Sequence, residues 1–399
     1  MSGKSNLASA NDVSISASIE VITSKIRQRM KQLIVLLCFP MILHGQIDSL
    51  GHFLEAQLDH ESASPVHSIM LQVDRVGGDL LFQEAIGWKN READSIQPTQ
   101  QFRIASITKL FVATVVLQLI EEGRLKLTDK IGYHLSDHPF LKVRNLHTPE
   151  SRNYGLEISV EHLLSHRTGL ADIFTDKADE FFAKVFANPT QNYSPRKIVE
   201  LYFDYDLPKA AQFKPGEGFY YSDMNYVVLG LLIEHLEGAS LATVLRKRII
   251  NPLELQDTFL EFYEAPHTSP DLLHQWYDSF NMSRINTSFD WAGGGLVSSM
   301  SDLSIFISAL FTGKLLQLKT LKRMTQMPPN SPNEDPYGLG IFGTTFNGDL
   351  YFGHFGFYGS YVGYCPKKKQ VLVYNISQGN PPFRVKLVIE EALKRLDLD

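Results

Sequence analysis

The most informative stretch of the chain is Ser106-Ile107-Thr108-Lys109, which an almost wholly apolar run from Leu110 to Ile120 follows. Residues three apart share one face of a helix, so Ser106 and Lys109 are expected to lie side by side. A lysine on an apolar helix is partly desolvated, which lowers its pKa and suits it to accept a proton. At the helix start, Ser106 would lie where backbone N–H groups favour an oxyanion. This layout predicts a serine–lysine nucleophile for acyl transfer.

A second Ser-x-x-Lys stretch, Ser194-Pro195-Arg196-Lys197, shows that the spacing alone is a weak signal. Here Ser194 is predicted to cap a helix whose first residue is Pro195, a position that proline favours. Capping is also the simplest interpretation of Ser106 taken alone. The assignment of Ser106 as a nucleophile therefore depends on motifs elsewhere in the chain.

The size, charge and cysteine content limit the function classes. The chain has 399 residues, 44% of them hydrophobic, and a net charge of −6 with a pI near 6.1. This is enough for a large core, and no basic patch favours a nucleic-acid partner. Lys367-Lys368-Lys369 is predicted to form a hairpin turn. Since Cys38 lies in an N-terminal apolar run, Cys365 is expected to be the one thiol of the mature protein, which excludes an intramolecular disulfide and a cysteine metal site.

The N-terminal region has the features of a secretory signal peptide over residues 30–46. Basic residues precede an apolar run from Leu33 to Leu43. The run is short for a bilayer span and contains Pro40, so a membrane anchor is the less favoured alternative. We expect an exported protein, periplasmic or secreted, with cleavage near Gly45 or Gln46.

The rest of the chain is predicted to form one domain over residues 47–399, and residues 1–29 a polar tail before an alternative start at Met30. Predicted strands lie at 68–73, 80–85, 338–346, 350–354, 359–364 and 371–376. Predicted helices are residues 47–58, a nucleophile helix ending near Gly123, 226–236, 300–311 with Ser301 as its cap, and 385–396. The region from about 134 to 289 is mainly helical. Because strands bracket this helical middle, we predict an α+β fold with one antiparallel sheet built from both chain ends and helices packed on it.

Two further motifs follow the serine–lysine pair. Tyr221 lies in a polar turn just before a predicted helix, 115 residues after Ser106, and His354 lies in the Gly-rich strand segment 353–359, 133 residues later. A phenol with a pKa near ~10 is a poor base unless a cation stabilises its phenolate. Lys109 is the nearby cation, so Tyr221 and Lys109 are expected to titrate as a coupled pair. Taken singly, Tyr221 could be a packing residue and His354 an ordinary strand histidine.

These residues resemble the serine β-lactamase and penicillin-binding protein superfamily, most closely its AmpC-like branch of β-lactamases, D,D-carboxypeptidases and related esterases. The resemblance covers residues from about 65 to 380 and includes His162–Leu170, Pro215-Gly216-Glu217 and Ala292–Ser298. It implies a β-lactamase/transpeptidase-like fold. Several matching segments in the family's order carry it, and no single one would.

The resemblance also implies the site residues. Ser106 is the nucleophile, Lys109 its base partner, and Tyr221 the tyrosine of a Tyr-x-Asn motif that shuttles protons to the leaving group. His354-Phe355-Gly356 replaces the family's Lys-Thr-Gly, as in its esterase-like members. The backbone N–H groups of Ser106 and Phe357 would form the oxyanion hole.

Two departures from the family pattern bear on the substrate. Asp223 stands where the family often has Asn, and an ionised Asp can accept from Lys109 but cannot donate to a substrate amide. A neutral His354 anchors a carboxylate less well than a lysine. Both changes weaken β-lactam recognition and leave room for esters, neutral amides or D-amino-acid peptides. Asp223, Phe355 and Gly356 are the expected substrate contacts.

Other histidines and motifs give weaker signals. His162 and His166 are four apart, as metal ligands can be, but no Glu follows His162 directly, so the zincin pattern fails and a structural role is favoured. His134 and His138 are expected at the surface. The sequence holds no Gly-x-Ser-x-Gly, which argues against an α/β-hydrolase, and no phosphate loop or dinucleotide fingerprint.

The sequence therefore predicts an exported serine hydrolase, without metal or cofactor, that forms an acyl-enzyme on Ser106 and cleaves an ester or amide as an esterase or D,D-peptidase. Its partner would be a small-molecule or peptide substrate: an ester, a D-amino-acid peptide or a β-lactam. The alternatives are a non-catalytic penicillin-binding-type protein that binds cell-wall peptide, and a true β-lactamase. The presence of Ser106, Lys109 and Tyr221 together speaks against a pure binding module.

Overall fold

The computed structural model of the protein describes residues 49–77, 79–90, 94–266, 271–328, 331 and 335–396. The predicted polar tail, signal peptide and Cys38 lie outside these residues. The described chain divides into a main compact unit, Leu54–Glu391, and a small unit that holds residues 49–53 and 392–396. Every residue of the predicted site belongs to the main unit.

Eleven strands occur within the described ranges. They are β1 (Ser68–Arg75), β2 (Asp79–Gly87), β3 (Phe102–Arg103), β4 (Phe259–Leu260), β5 (Trp276–Tyr277), β6 (Phe280–Asn281), β7 (Leu296–Ser298), β8 (Phe342–Phe346), β9 (Asp349–Gly356), β10 (Ser360–Cys365) and β11 (Gln370–Ile376). Six of them form one antiparallel sheet in the order β2-β1-β11-β10-β9-β8, while β3-β7-β4 and β5-β6 form two small sheets.

The main sheet joins the two ends of the chain. β1 pairs with β11 so that Met70 lies opposite Asn375, and β11 is buried along its whole length. A strand with no exposed residue is covered on both faces, which explains why β11 is a continuous run rather than an alternating one. The predicted antiparallel sheet from both chain ends is confirmed.

Most of the helices lie in the middle of the chain, between β2 and β8, and the helix Met300–Phe311 packs on β10 and β11. The helices are α1 (residues 49–55), α2 (Thr108–Glu121), α3 (Gly132–Leu135), α4 (Val160–Leu164), α5 (Ile173–Asp176), α6 (Ala178–Ala187), α7 (Pro195–Asp204), α8 (Met224–Glu237), α9 (Leu241–Leu245), α10 (Trp291–Gly294), α11 (Met300–Phe311), α12 (Leu318–Met324) and α13 (Val385–Leu396). Among the described residues no single helix is long and apolar enough to cross a membrane, and the bent pair Met224–Glu237 and Leu241–Ile250 meets that test only across a 76° break.

The nucleophile helix α2 runs through the core. Nearly all of its residues are buried, including Lys109, and its Phe111 ring stacks on Phe306 of α11 with ring centroids 3.7 Å apart. A helix that is apolar on every side has no solvent-facing stripe and must be enclosed by neighbours. The apolar run after Ser106 therefore places the start of α2 deep inside the main unit.

Several predicted boundaries need correction. The cap of α11 is Ser299, whose hydroxyl accepts the Asp302 N–H, and not Ser301, which lies inside the helix. The strand predicted from 338 starts only at Phe342, because the Gly338 N–H donates to the Ile341 carbonyl and closes a turn.

Other local predictions hold. Ser194 caps α7 with Pro195 at its first turn, and residues 366–369, which include the three lysines, form the turn between β10 and β11. Cys365 is a buried free thiol.

Candidate active site

Ser106 lies in a short 3₁₀ turn, Ala105–Ile107, that leads directly into α2. The residue before it, Ala105, has φ of 46° and lies in the left-handed region, which costs energy for any residue but glycine. Such backbone strain is typical of functional sites, where surrounding structure holds it in place. Ser106 itself is half-buried at the wall of two cavities.

Lys109 is completely buried and uses all three N–H donors of its ammonium group. Nζ donates to Ser106 Oγ at 2.8 Å, to Asp223 Oδ1 at 2.6 Å and to the Gly293 carbonyl at 2.7 Å. The expected pairing of Ser106 with Lys109 is confirmed as geometry. Because an ammonium group has no lone pair, Lys109 must release a proton before it can accept the one on Ser106.

Tyr221 precedes α8, and its ring centroid lies 4.9 Å from Lys109 Nζ. Burial and the negative charge of Asp223 raise the pKa of Tyr221 well above its usual value, while a hydrogen bond with Ser106 opposes this shift. Burial is the main cause of this shift, and it favours the protonated phenol. The coupled titration of Tyr221 with Lys109 stays a prediction.

The segment from His166 to Ala171 forms hydrogen bonds and a ring contact with the turn that carries Tyr221. His166 Nδ1 accepts the Ser222 N–H at 3.2 Å, its ring stacks on Tyr221 at 4.1 Å, and the Ser222 hydroxyl donates to the Ala171 carbonyl at 3.0 Å. Asn225 adds a hydrogen bond to the same His166 nitrogen at 3.0 Å. These contacts agree with the structural role predicted for His166.

The other predicted histidines also make local contacts. His162 Nδ1 accepts the Ser159 N–H at 3.4 Å in a capping box at the start of α4, and burial lowers the pKa of His162 to about 4. His134 and His138 are half-buried surface residues, with His134 3.6 Å from the Asp129 carboxylate.

Glycine at position 293 is required by the lysine's environment. A Cβ atom there would lie 2.5 Å from Asp223 Oδ1, closer than real contacts allow. A side chain at position 293 would therefore displace the Asp223 carboxylate to which Lys109 donates. Sequence analysis had included this Gly-rich segment in the resemblance but had given it no role.

Two further carboxylates, Asp172 and Asp290, line the same cavity as Ser106 and Asp223. Burial, with the negative charge of Asp223 as the next cause, raises the pKa of each to about 7. Neither residue was identified from the sequence, and no motif marks them. Three carboxylates thus lie near Lys109, the one lysine that is buried among the residues the structure describes.

His354 is 1% exposed on β9, and both ring nitrogens have protein partners. Nδ1 donates to the Phe355 carbonyl at 2.7 Å, and Nε2 accepts from the Tyr337 hydroxyl at 3.2 Å. Burial and the Lys109 charge lower the pKa of His354 to about 3, so the ring is neutral. The predicted neutral state agrees with this, but the ring keeps no free donor for a substrate.

The end of β9 touches the chain just before the nucleophile. A Cβ on Gly356 would lie 2.2 Å from the Ile104 carbonyl and 2.1 Å from Ser360 Oγ. Ser106 and Phe357 are the residues whose N–H groups are predicted to form the oxyanion hole. Both residues line the same two cavities, so the predicted oxyanion hole remains compatible with the geometry.

Two cavities meet at Ser106 and Tyr221. The larger, about 550 Å³, has aromatic walls from Phe342, Phe346, Phe355, Phe357 and Tyr374. The smaller, about 210 Å³, has the carboxylates on one side and Phe174, Phe182 and Phe289 on the other. A substrate with its scissile carbonyl at Ser106 therefore has space on both sides of the bond.

Comparison with known proteins places this geometry in a family. A family model described as Beta-lactamase matches residues 70–395. The chain belongs to the β-lactamase family. A D-stereospecific amidohydrolase from Streptomyces sp. superposes on this family member with a TM-score of 0.71 and 25% identity, covering 86% of this chain and 98% of that one. An octameric penicillin-binding protein homologue from Pyrococcus abyssi gives 0.68 and 26%, with coverage of 88% and 76%.

Among curated proteins, penicillin-binding protein 4* of Bacillus subtilis is 28% identical over 188 residues, which is 46% of this chain and 36% of that protein. Protein flp of Staphylococcus aureus is 26% identical over 253 residues, 61% of this chain and 46% of flp. The chain thus spans less than half the length of these two relatives. The predicted family and the β-lactamase/transpeptidase-like fold are confirmed. The chain belongs to the serine hydrolases of the β-lactamase and penicillin-binding protein type.

Proposed function

We propose that this β-lactamase-family protein is a serine hydrolase that forms an acyl-enzyme on Ser106, with Lys109 and Tyr221 as its proton-transfer partners. The 2.8 Å hydrogen bond from Lys109 Nζ to Ser106 Oγ, at the meeting point of two cavities, is the observation that carries the proposal. The reaction class is hydrolysis of an ester or an amide.

The chemistry follows from the protonation states. Ser106 Oγ bonds to the substrate carbonyl carbon, whose C=O π electrons move to the oxygen, and gives its proton to Lys109, which passes one of its own protons to the Asp223 carboxylate at 2.6 Å. The N–H groups of Ser106 and Phe357 stabilise the oxyanion. The protonated phenol of Tyr221 donates to the leaving group as the scissile bond breaks. Water then attacks the acyl-enzyme, and the proton transfers reverse to release the acid and restore Ser106.

Esters and amides, including D-amino-acid peptides, are the proposed substrates. Asp223 accepts from Lys109, and His354 bonds to Tyr337 and Phe355, so neither offers the donor that a β-lactam amide or carboxylate would need. The 25% identity to a D-stereospecific amidohydrolase supports an amide substrate. We assign His354 no proton-transfer step, because its bonds hold the third motif rather than the nucleophile.

Covalent labelling tests the proposal. The wild-type protein should react with a fluorophosphonate probe at Ser106, and Ser106→Ala should abolish labelling with an unchanged circular dichroism spectrum. Ser194→Ala is the matched control, since Ser194 has the same Ser-x-x-Lys spacing but caps α7. Labelling that persists in Ser106→Ala, or that maps to Ser194, would contradict the assignment.

We further propose export to the periplasm or the medium, on the basis of the charged start and short apolar run within residues 30–46. N-terminal sequencing of protein from a secretory bacterial host should find a first residue near Gly45 or Gln46. A mature chain that begins at Met1 would overturn this proposal.

A further inference from the structure

We propose that Asp172 is a positioning residue for acyl transfer. It bonds to the backbone of Asp223, in the turn that carries Tyr221, and so holds the Asp223 carboxylate against Lys109. The inference rests on the proposed function, in which Lys109 exchanges a proton with Ser106. Asp172 lines the smaller cavity together with Ser106, and its hydrogen bonds lead to the nucleophile through Asp223. It acts through Asp223.

Three consecutive links connect Asp172 to the nucleophile. Asp172 Oδ1 accepts the backbone N–H of Asp223 at 2.7 Å. The carboxylate of Asp223 then accepts from Lys109 Nζ at 2.6 Å, and Lys109 donates to Ser106 Oγ at 2.8 Å. A displacement of Asp223 would therefore change the position of the lysine relative to the serine.

Asp172 is itself held on both sides. Its Oδ2 accepts the Phe174 N–H at 3.0 Å, and its own N–H donates to Asp176 Oδ2 at 2.7 Å. The side chain is 2% exposed. A buried carboxylate with several fixed backbone bonds is a rigid support, since its rotamer cannot change without leaving buried N–H groups unpaired.

Helix capping accounts for only one of these bonds. Asp172 is the N-cap of α5, and its Oδ2 bond to Phe174 is the capping bond. α5 has four residues, and the cap does not require the bond from Oδ1 to Asp223, which lies 51 residues later in the chain. The bond from the Asp223 N–H to Oδ1 is therefore not explained by capping, and we assign to it the support of Asp223.

The charge state of Asp172 gives a readout that a purely structural role would not. An ionised carboxylate is the stronger acceptor for both N–H groups. Burial and Asp223 raise the pKa of Asp172 to about 7, so the support should strengthen as the pH rises through that value. The charged and titratable groups that face or adjoin it are Asp223, Lys109, Asp176, Tyr202, Tyr220 and Tyr221.

The experiment compares three variants in the full chain: Asp172→Ala, Asp172→Asn and Asp302→Asn. Asp302 is the matched control, because it is also a buried carboxylate that accepts a backbone N–H from a distant segment, that of Asp257 at 2.8 Å. It lines neither cavity at Ser106. The readouts are kcat and KM for p-nitrophenyl butyrate, the rate of fluorophosphonate labelling, and the thermal unfolding midpoint.

Asp172→Ala should lower kcat and the labelling rate by about tenfold or more, with KM changed by less than about threefold, because the loss lies in the alignment of reacting groups. Asp302→Asn should keep the wild-type kcat. Asp172→Asn keeps one acceptor oxygen and should recover part of the rate at pH 8. Because the Ala variant can lose folded protein, rates are normalised to the folded fraction.

The pH profile completes the test. The kcat of the wild type should increase in a step as the pH rises through about 7. The pH profile of Asp172→Asn should lack that step. Asp290, whose pKa is also about 7, is present in both proteins, so a step that is lost only in Asp172→Asn is assigned to Asp172. A wild-type kcat in Asp172→Ala, or an unchanged step in Asp172→Asn, overturns the inference alone. Failure of the wild type to be labelled at Ser106 overturns the proposed function instead.

Discussion

At the residue scale, the site holds three carboxylates around Lys109, and Lys109 forms an ion pair with one of them. Lys109 is matched by Asp223, while Asp172 and Asp290 add two carboxylates whose pKa values burial raises to about 7. Burial, and after it the charge of Asp223, raises the pKa of Tyr221, which keeps the phenol protonated at neutral pH. The phenol is therefore set up to donate a proton to a leaving group rather than to remove one from Ser106.

The residue at position 223 should control the preference between esters and β-lactams. The wild type should show a higher kcat/KM for p-nitrophenyl butyrate than for nitrocefin, since an ionised Asp223 cannot donate to the β-lactam side-chain amide. Asp223→Asn should shift this ratio towards nitrocefin by about tenfold, the order expected for one regained hydrogen bond to a substrate.

Asp179→Asn is the control for this ratio, because it removes the same charge from an exposed position on α6. The two substrates are measured in parallel by steady-state kinetics. A wild type that already prefers nitrocefin, or a ratio that Asp223→Asn leaves unchanged, would show that Asp223 does not set the preference.

At the scale of elements, the site depends on the close approach of β9 to the turn that carries Ser106. The Ser360 hydroxyl on β10 donates to the Ile104 carbonyl at 3.1 Å, and Gly356 at the end of β9 faces the same carbonyl. The strained φ of Ala105 lies one residue further on. Strands β9 and β10 thus contact the strained turn that carries Ser106, and at position 356 only a glycine fits.

Gly356→Ala should separate β9 from this turn. Its Cβ would meet backbone oxygen at 2.2 Å, and backbone cannot rotate away as a side chain can. We expect a loss of about 1–3 kcal/mol in the free energy of unfolding and at least a ~tenfold loss in kcat, because overpacking displaces the nucleophile turn. Urea unfolding and ester kinetics measure the two effects.

Gly51→Ala is the matched control, since a Cβ at Gly51 in α1 meets nothing within 4 Å and alanine favours a helix. It should leave kcat unchanged and leave stability equal or slightly higher. Wild-type activity in Gly356→Ala would mean that the contact between β9 and the turn does not position Ser106.

At the scale of the whole molecule, burial of carboxylates makes folding sensitive to pH. The pKa of Asp302 is raised to about 6, chiefly by burial. Between pH 4 and 6 the folded protein therefore keeps a proton on Asp302 that the unfolded chain releases. Stability falls with rising pH wherever the folded state binds more protons, so this group's contribution is present at low pH and lost as the pH rises through about 6.

Asp302→Asn removes that dependence. As the pH rises from about 4.5 to 7, the wild type should lose on the order of 2 kcal/mol of unfolding free energy relative to the variant. Urea unfolding at both pH values gives the difference, and Asp179→Asn, an exposed charge, should show no such trend. A difference between wild type and Asp302→Asn that is equal at both pH values would refute this account of Asp302.

Much of the fold could be predicted because its signals are local. The apolar run after Lys109 required an enclosed helix, Pro195 and Ser194 marked a helix start, and the alternation of strands and turns near the C-terminus placed β9 to β11 within a few residues. The pairing of Ser106 with Lys109 follows from helical spacing alone. Ser299 was missed as a cap because two serines flank Met300 and only the backbone shows which one bonds to Asp302.

The rest was decided by contacts between distant segments. By itself, the sequence determined the family, the order of the three motifs, the main elements and the serine–lysine pair. Only the tertiary structure brought Asp172 to Asp223 and the Gly293 carbonyl to Lys109, and bonded His354 to Tyr337. The protonation of Tyr221 depends on burial and on the charge of Asp223. Burial and charge pairing are properties of the folded arrangement, since residues far apart in the chain create them, and no local pattern encodes them.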